Sequence, residues 1–331
     1  MKTLILVLSL ALSFLCHIPA TSQHQYEFHY EDIENFRKVL EVVRSGGDTL
    51  AAINTYFENA SEGMRGWLDR YGTKPALMVK TIKYFPKYYD YLSTIDTKLM
   101  SYEEEISKGL DGIRKLYPSE FVHIPPIYYF ILFSGGGSVE MTANMMSVDY
   151  FGMHEDLDHS EFDRIGGLYP EGKFHLVDVE LIPHVTVHET AHLLQAYMQG
   201  EIDYVSIYEQ ENQTIQAYAI REGGADFLTW HGAGLIDSVK AAYGDTHEKE
   251  LWQAMEPILE ENIDDHKGWF SGKNPDHPDW PFQIGYYMGF KMVQHYFEQS
   301  EDKEAALTLI FNANQPEDFQ KFVEVYRKKW D

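Results

Sequence analysis

The sequence predicts an α+β protein that is rich in helices and contains a small mixed sheet. Three observations support this fold class. Apolar residues recur at three- and four-residue spacing from 31 to 117, which is the period of amphipathic helices. Two apolar and aromatic runs follow, Ile127–Phe133 and Val139–Phe151, and they are the best strand candidates. The segment Pro183–Gln199 then has the pattern of a long helix.

Composition and charge exclude several classes of protein. The 331 residues are 44% hydrophobic and 15% aromatic, which excludes disorder and supplies enough apolar area for a sizeable core. The formal net charge of −25 would repel nucleic-acid phosphates and anionic lipid. We therefore expect no nucleic-acid partner. We also expect no transmembrane segment, because no apolar stretch reaches the length of a membrane-spanning helix.

The first 22 residues have the pattern of a secretory signal peptide. Lys2 precedes an apolar run from Leu4 to Leu15, which is short for a bilayer, and small residues follow at 20–22. We therefore expect an exported protein, either periplasmic or extracellular. The mature chain, residues 23–331, is expected to form one domain, although its length would also allow two small ones.

The only cysteine lies at the end of this apolar run. Lipid anchoring through Cys16 is the less favoured alternative, because Leu15 stands where lipidated precursors carry a small residue. If the segment is removed, the mature chain has neither a thiol nor a disulfide. Cysteine catalysis is then excluded.

The helices before residue 117 are expected to be scaffold. Pro75 is placed to begin a helix, and Pro86 to bend or end one. Ser101 followed by Glu104 has the pattern of a capping box, for a helix that ends near Leu116.

An acidic segment that contains glycine, residues 154–172, predicts a loop, and a further strand is predicted at 174–179. Asp156, Asp158 and Ser160 have the spacing of a calcium loop. The glycine and the final glutamate of that loop are missing, so the helix–loop–helix calcium motif is absent. An irregular cation site in this loop stays open.

The chemistry of the chain is concentrated in the predicted helix 183–199, which contains the pattern HExxH. His188 and His192 lie one helical turn apart on the same face, a spacing at which two imidazoles can bind one tetrahedral metal. Glu189 is adjacent and could reach a water in an open coordination position. The pattern is short, and a metal site of this kind needs a third ligand.

A second segment, 214–230, is also predicted to be helical and offers that ligand. Glu222 and Asp226 again lie one turn apart. This spacing resembles the third-ligand segment of gluzincin metallopeptidases, in which a Glu binds zinc and an Asp four residues later bonds a ligating histidine. A carboxylate in that place fixes the tautomer of the imidazole and raises its basicity.

More of the chain resembles a bacterial family of predicted Zn-dependent proteases that includes relatives of a gliding-motility lipoprotein. The resemblance covers about residues 120–300, and it rests on HExxH, on Glu-Gly-x-Ala-Asp at 222–226, and on the segments 146–152 and 285–289. It implies a zincin-like fold, with an HExxH active-site helix and a small sheet whose edge strand lies beside the substrate. The chain would then consist of a helical N-terminal part, 23–120, and a catalytic core, 121–331.

The resemblance also implies roles for individual residues. His188, His192 and Glu222 would hold one Zn²⁺ per chain, and Asp226 would orient a ligating histidine. Glu189 would act as general base toward a water on the metal, and the substrate would be a peptide or protein.

Other residues are candidates for supporting roles. Tyr286 is the favoured donor to a developing oxyanion, because zincins commonly place a Tyr or His opposite the metal. His231 and His295 are weaker candidates for that role. His184, one turn before the motif, is an alternative ligand or a neighbour of the ligands, and the proline-rich segment 274–281 is predicted to be a loop at the rim of the substrate groove.

Several alternatives stay open. The two histidines could be ordinary core or surface residues, or they could belong to a structural zinc site. Glu189 and His192 also form a Glu-x-x-His pair of the di-iron type, but its only counterpart, Glu120 with His123, runs into two prolines. The main alternative to a metallopeptidase is a catalytically silent envelope binding or assembly protein on a zincin scaffold. The sequence leaves the cleavage specificity and the oligomeric state open.

Overall fold

The computed structural model describes residues 25–119, 122–132, 135–154, 157–158, 160–162, 176–200 and 212–330. The predicted signal peptide and Cys16 lie outside these residues, as do Glu120 and most of the loop 154–172.

The N-terminal part is helical, as predicted. Pro75 and Pro86 each stand at the start of a helix, which also confirms their predicted positions. The helices of this part are α1 (Glu31–Arg44), α2 (Thr49–Glu58), α3 (Glu62–Tyr71), α4 (Pro75–Tyr84), α5 (Pro86–Leu92), α6 (Asp96–Ser101) and α7 (Glu103–Leu116).

The predicted capping box is wrong, although α7 does end at Leu116. The N-cap of α7 is Tyr102, and no side chain caps the helix there. Ser101 instead closes α6, and its hydroxyl donates to the Lys98 carbonyl at 2.6 Å. Because Ser101 is the last residue of α6 and Tyr102 takes the N-cap position, Ser101 does not stand where a hydroxyl could cap α7.

The small mixed sheet is present and has four strands: β1 (Phe28–His29), β2 (Ile127–Phe130), β3 (Gly137–Val139) and β4 (Asn144–Ser147). Their order is β1-β2-β4-β3. β2 runs parallel to both β1 and β4, whereas β3 is antiparallel to β4 and forms an edge of the sheet.

The strand boundaries differ from the prediction in two places. The run Val139–Phe151 is not one strand, because the chain reverses between β3 and β4 and continues after β4 as a 3₁₀ helix, Val148–Tyr150. The strand predicted at 174–179 is wrong in its described part. Only one bridge forms there, between Met153 and Asp178, and a 3₁₀ helix begins at Val179.

The second half of the chain is helical. Thr214 caps a helix there by accepting a hydrogen bond from the Ala217 N–H at 3.3 Å. The helices are α8 (Ile182–Met198), α9 (Ile215–Ala233), α10 (Ser238–Met255), α11 (Ile284–Gln299), α12 (Lys303–Asn312) and α13 (Pro316–Arg327). Among the described helices, none combines the length and the apolar character needed to cross a membrane.

Helices cover both faces of the sheet. On one face, the Asn144 amide of β4 donates to the Thr186 carbonyl of α8 at 2.9 Å and to the Thr190 hydroxyl at 3.0 Å. On the other face α3 packs against β2, and a side chain at Gly63 would lie 2.4 Å from the Tyr128 ring. The sheet therefore holds α8 in a fixed position beneath its edge.

α9 is fixed against α11 by close contact of the two backbones. A Cβ atom at Gly223 would lie 1.9 Å from the carbonyl carbon of Gly289, and one at Gly289 would lie 1.8 Å from the Ala219 oxygen. Only glycine fits at such a crossing. The crossing places the neighbouring residues of α9 opposite α8.

Candidate metal centre

Two helices bring the side chains of His188, His192 and Glu222 together, and we call these three residues the His–His–Glu cluster. Each of them is at most 6% exposed. The two histidine Nε2 atoms lie 3.0 Å apart. The Glu222 Oε2 atom lies 3.1 Å from Nε2 of His192 and 3.3 Å from Nε2 of His188. Three potential ligand atoms therefore converge on one point.

These separations suit a single zinc ion. Nitrogen and oxygen ligands bind zinc at about 2.0–2.1 Å, and at tetrahedral angles such ligands lie about 3.3 Å from one another. The three distances in the His–His–Glu cluster fall close to this value. Three protein ligands would leave the fourth tetrahedral position open, as in catalytic rather than structural zinc sites.

The outer ring nitrogens of both histidines have acceptors. His188 Nδ1 lies 2.7 Å from Asp226 Oδ1, and His192 Nδ1 lies 2.8 Å from Gln195 Oε1. The Asp226 carboxylate can only accept, so His188 donates from Nδ1 and turns its Nε2 atom toward the cluster. The Gln195 amide donates to the Arg221 carbonyl at 3.3 Å, which directs its oxygen toward His192. Both imidazoles are therefore held with Nε2 directed into the cluster.

The charge balance of the cluster requires a positive charge beside its buried carboxylates, supplied either by a proton on His188 or by a bound cation. Burial opposes the charged form of His188, but Asp226 and Glu222 outweigh burial and raise its pKa to about 10. Burial likewise opposes ionisation of Glu222, yet His192 and His188 lower its pKa to about 2. The pKa of Asp226 is well below its usual range for the same reason, since His188 and His184 outweigh its burial. Buried carboxylates that stay ionised require positive charge nearby.

His184 lies on the Asp226 side of the cluster. Its Nε2 atom is 3.2 Å from Asp226 Oδ1, and its buried Nδ1 atom has no hydrogen-bond partner. His184, His188 and Asp226 also form a group whose ligand atoms lie within 4.8 Å of one another. The sequence left open whether His184 is a metal ligand. The structure places His184 in a second possible ligand group, which shares His188 with the His–His–Glu cluster.

Glu189 lies beside the cluster and beneath the edge strand. It is 8% exposed, its Oε2 atom has no hydrogen-bond partner, and burial raises the pKa of its carboxyl group. The strand approaches it closely, because a Cβ atom at Gly137 would lie 2.8 Å from Glu189 Cγ. A carboxylate with raised proton affinity next to a candidate metal centre is suited to accept a proton.

A cleft of about 720 Å³ opens over these residues. His188, Glu189 and Asp226 are part of its wall, together with Tyr286, whose ring centre is 5.9 Å from that of His188. Much of the remaining wall is apolar: Phe151, Met153, Leu176, Leu181, Val239 and Trp280. The cleft therefore combines the reactive groups with a surface that suits apolar side chains.

A family model described as "Predicted Zn-dependent protease (DUF2268)" matches residues 174–315. The match confirms the predicted resemblance to this family. It covers α8, α9 and α11, with the His–His–Glu cluster, Asp226 and Tyr286, but less than half of the chain. No curated protein and no solved structure matches the chain. The description of the family implies zinc dependence and peptide substrates, and the buried His and acidic groups could hold the metal.

The loop 274–281, which lies within the part that the family model matches, is non-helical, as predicted, and it lines the cleft. It contributes Asp279, Trp280 and Pro281 to the wall. Trp280 is held between His277, at 3.8 Å between ring centres, and Trp269, at 4.9 Å. Gln283 follows with φ 55°, a left-handed conformation that is strained for a residue other than glycine, and it also lines the cleft.

Three further polar residues near the cluster were not predicted from the sequence. Gln195 lies three residues after His192 on the same helix, and that spacing was the available signal. Asp237 and Lys240 lie at the start of α10 and line the cleft. The Asp237 carboxylate caps α10 and lies 3.0 Å from the Lys240 ammonium, which in turn lies 4.8 Å from the centre of the Tyr286 ring. An Asp directly before Ser-Val-Lys is typical of a helix N-cap.

The other sequence candidates lie elsewhere. His231 stacks on Phe227 at 5.2 Å, and His295 packs edge-on against Tyr326 at 5.8 Å. Neither histidine lines the described cleft. In the acidic loop, Asp158 is paired with Lys87, which neutralises one of the possible cation ligands, while Asp156 lies outside the described residues.

Proposed function

We propose that the protein is an exported zinc-dependent metallopeptidase of the gluzincin type, with a zincin-like fold, which hydrolyses peptide bonds. The observation that carries this proposal is the convergence of three ligand atoms within 3.3 Å, with Glu189 beside them in an open cleft. The family description and the predicted signal peptide support it.

His188 and His192 would hold one Zn²⁺ through their Nε2 atoms, and Glu222 through Oε2. Bound there, zinc would polarise the scissile carbonyl and lower the pKa of a water toward about 7. Asp226 and Gln195 keep the two imidazoles in the tautomer that presents Nε2. The His–His–Glu cluster carries one formal negative charge when both histidines are neutral, so it leaves part of the charge of a divalent cation available to the reaction.

Glu189 is assigned as the general base. It takes the proton of the attacking water and delivers it to the leaving amine, which must leave as a neutral group. Its burial supports this role, because a raised pKa makes the carboxylate a stronger base and its conjugate acid a suitable donor. The bare backbone of Gly137 leaves room for this side chain.

Tyr286 is assigned as the donor to the developing oxyanion. It lines the same cleft as Glu189, and it lies at the start of α11, whose position is fixed by the crossing with α9. A hydroxyl on a fixed helix can donate without reorganisation at the moment of reaction. The edge strand β3 would hold the peptide beside these groups by backbone hydrogen bonds.

The alternative is a silent binding protein on the same scaffold. Burial of an ionisable carboxyl with an unpartnered oxygen, as at Glu189, is costly and serves no purpose in a structural metal site. This observation favours catalysis over the alternative.

The proposal is tested by zinc content and peptide hydrolysis in the wild type, Glu189→Gln and the exposed control Glu304→Gln. We expect unchanged zinc in all three proteins and loss of hydrolysis by about a hundredfold or more only in Glu189→Gln. Hydrolysis that Glu189→Gln retains, or that persists after zinc removal by a chelator, would contradict the mechanism. Absence of hydrolysis of a broad peptide mixture by the zinc-loaded wild type would favour the silent alternative.

A further inference from the structure

Among the described residues, no strand pairs with β3 on the side away from β4, and this free edge carries the next inference, which rests on the peptidase function proposed above. In an antiparallel pair, residues that exchange backbone hydrogen bonds with the partner strand alternate with residues that do not. Glu140 and Ala143 exchange both bonds, at 2.8 and 3.3 Å, and the Ser147 N–H donates to the Gly136 carbonyl at 3.1 Å. Ser138, paired with Met145, lies midway between these two positions.

Gly137 and Val139 therefore direct their N–H and C=O groups away from β4, toward the free edge of the sheet. These are the groups that a peptide strand added to the sheet would use. The backbone groups of Gly137 and Val139 are not equally accessible to a peptide strand, because the surroundings of the two residues differ.

Arg70 of α3 occupies the Val139 end. Its guanidinium donates to the Val139 carbonyl at 3.3 Å and to the Ser138 hydroxyl at 2.5 Å, and it pairs with the Glu140 carboxylate at 2.9 Å. Only 12% of the Arg70 side chain is exposed. The Tyr71 hydroxyl adds a bond to the Ser138 hydroxyl at 3.1 Å. One edge carbonyl is thus already bonded, and an ion pair stands beside it.

The Gly137 end opens into the cleft. Gly137 is the only residue of β3 that lines the described cleft, and Gly135 and Gly136 continue its wall away from Val139. Gly137 also lies against Glu189, since a Cβ atom there would be 2.8 Å from Glu189 Cγ. Pairing with a substrate therefore begins at the reactive groups and extends in one direction along the edge.

We propose that Arg70 and Glu140 close the sheet edge at Val139 and restrict the enzyme to peptide bonds near the N-terminus of its substrate. A peptide that pairs antiparallel with Gly137, the more stable of the two orientations, directs its N-terminal residues toward Val139 and its C-terminal residues into the cleft. With Val139 closed, only about two residues can precede the one at Gly137, so cleavage falls within the first ~three peptide bonds.

The charge at the closed end fits this substrate class. The Glu140 side chain is 34% exposed and places a carboxylate where the substrate chain would begin. A free α-ammonium group there would gain a charge-assisted contact, whereas an acetylated or extended N-terminus would meet the ion pair. Arg70 is thus a residue that determines specificity, and it takes no part in bond breaking.

The experiment uses one peptide sequence preceded by zero to six extra residues, each with a free or an acetylated N-terminus. Mass spectrometry locates the cleaved bonds for the wild type, Arg70→Ala, Arg70→Lys and the control Arg44→Ala, which removes an exposed pair with Asp90 on the N-terminal helices. We expect wild type and Arg44→Ala to cut within the first ~three bonds of every free peptide and about tenfold more slowly after acetylation. Arg70→Ala should also cut internal bonds, and Arg70→Lys should fall between the two.

A binding measurement separates this inference from the proposed function. Fluorescence anisotropy of the same peptides, labelled at the C-terminus, is recorded with zinc-loaded Glu189→Gln and with Glu189→Gln that also carries Glu140→Gln. We expect about tenfold tighter binding of free than of acetylated peptides, and loss of that preference with Glu140→Gln. If the wild type hydrolyses none of the peptides but free peptides bind more tightly than acetylated ones, the proposed peptidase function is refuted and the closed edge is retained. Internal or C-terminal cleavage by wild type, an unchanged cleavage pattern in Arg70→Ala, or no preference in binding would refute the closed edge.

Discussion

Replacement of Asp226 by Asn tests how strongly the charge behind His188 supports the metal. The carboxylate accepts from His188 at 2.7 Å and lies 3.2 Å from the ring of His184. An Asn side chain keeps the size and can still accept from His188, but it removes the negative charge that raises the basicity of the imidazole. Loss of a partner of this kind typically weakens metal binding 10- to 100-fold, or about 1.4–2.7 kcal/mol. We expect zinc affinity to fall by about tenfold in Asp226→Asn and by about 100-fold in Asp226→Ala.

The assay is competition for zinc between each protein and a chromogenic chelator at fixed pH and ionic strength. Circular dichroism and melting temperature must show that both variants fold, because Asp226 is buried. A parallel Asp111→Asn variant, which alters the acceptor of the Tyr26 hydroxyl and no residue of the cluster, serves as control and should bind zinc like the wild type. Zinc affinity of a folded Asp226→Ala that equals the wild-type value would refute the role given to this carboxylate.

Three further predictions concern stability and catalysis. Burial raises the pKa of Asp32 to about 6, so the folded state holds this proton more tightly than the unfolded chain. About 3 kcal/mol of stability present below pH 4 should therefore be lost as the pH rises through 6. Urea unfolding of the wild type and of Asp32→Asn between pH 4 and 7 isolates this difference, and identical pH profiles of the two proteins would contradict it. Gly223→Ala should lower the free energy of unfolding by about 3 kcal/mol or more, because the new methyl group would lie 1.9 Å from the backbone of Gly289. Gly224→Ala is the control and should lower it less, because its methyl group would meet only a flexible side-chain amide at 3.0 Å. Equal melting temperatures of the two variants would argue against the crossing. Tyr286→Phe should lower kcat/KM about 100-fold with unchanged zinc content, and unchanged kinetics would remove the hydroxyl from the mechanism.

The sequence predicted well those features that depend on local chemistry. Helix α8 follows from proline at its start, its apolar spacing and a glycine past its end, and the mixed sheet follows from the aromatic run at β2. The errors also have local causes. The Ser101 hydroxyl bonds to the helix before it, and the strand predicted at 174–179 gives way to a 3₁₀ helix that Asp178 caps.

What the sequence did not predict depends on contacts between distant segments. The spacing within each helix placed His188 with His192, and Glu222 with Asp226, but the distance between the pairs depends on how α8 and α9 pack against each other. Gln195 follows its histidine closely, yet its role depends on the Arg221 carbonyl of the other helix. Arg70 lies 67 positions before Gly137 in the chain, and no periodic pattern links α3 to the edge of the sheet.

Zinc content of the purified chain 23–331, which lacks the predicted signal peptide, tests the central claim most directly. Elemental analysis should find about one zinc per chain in the wild type and almost none in a folded His188→Ala variant, when both are prepared without chelators and with zinc supplied. A wild-type protein that binds no zinc under these conditions, or a variant that retains it, would contradict the assignment of the His–His–Glu cluster as the metal centre.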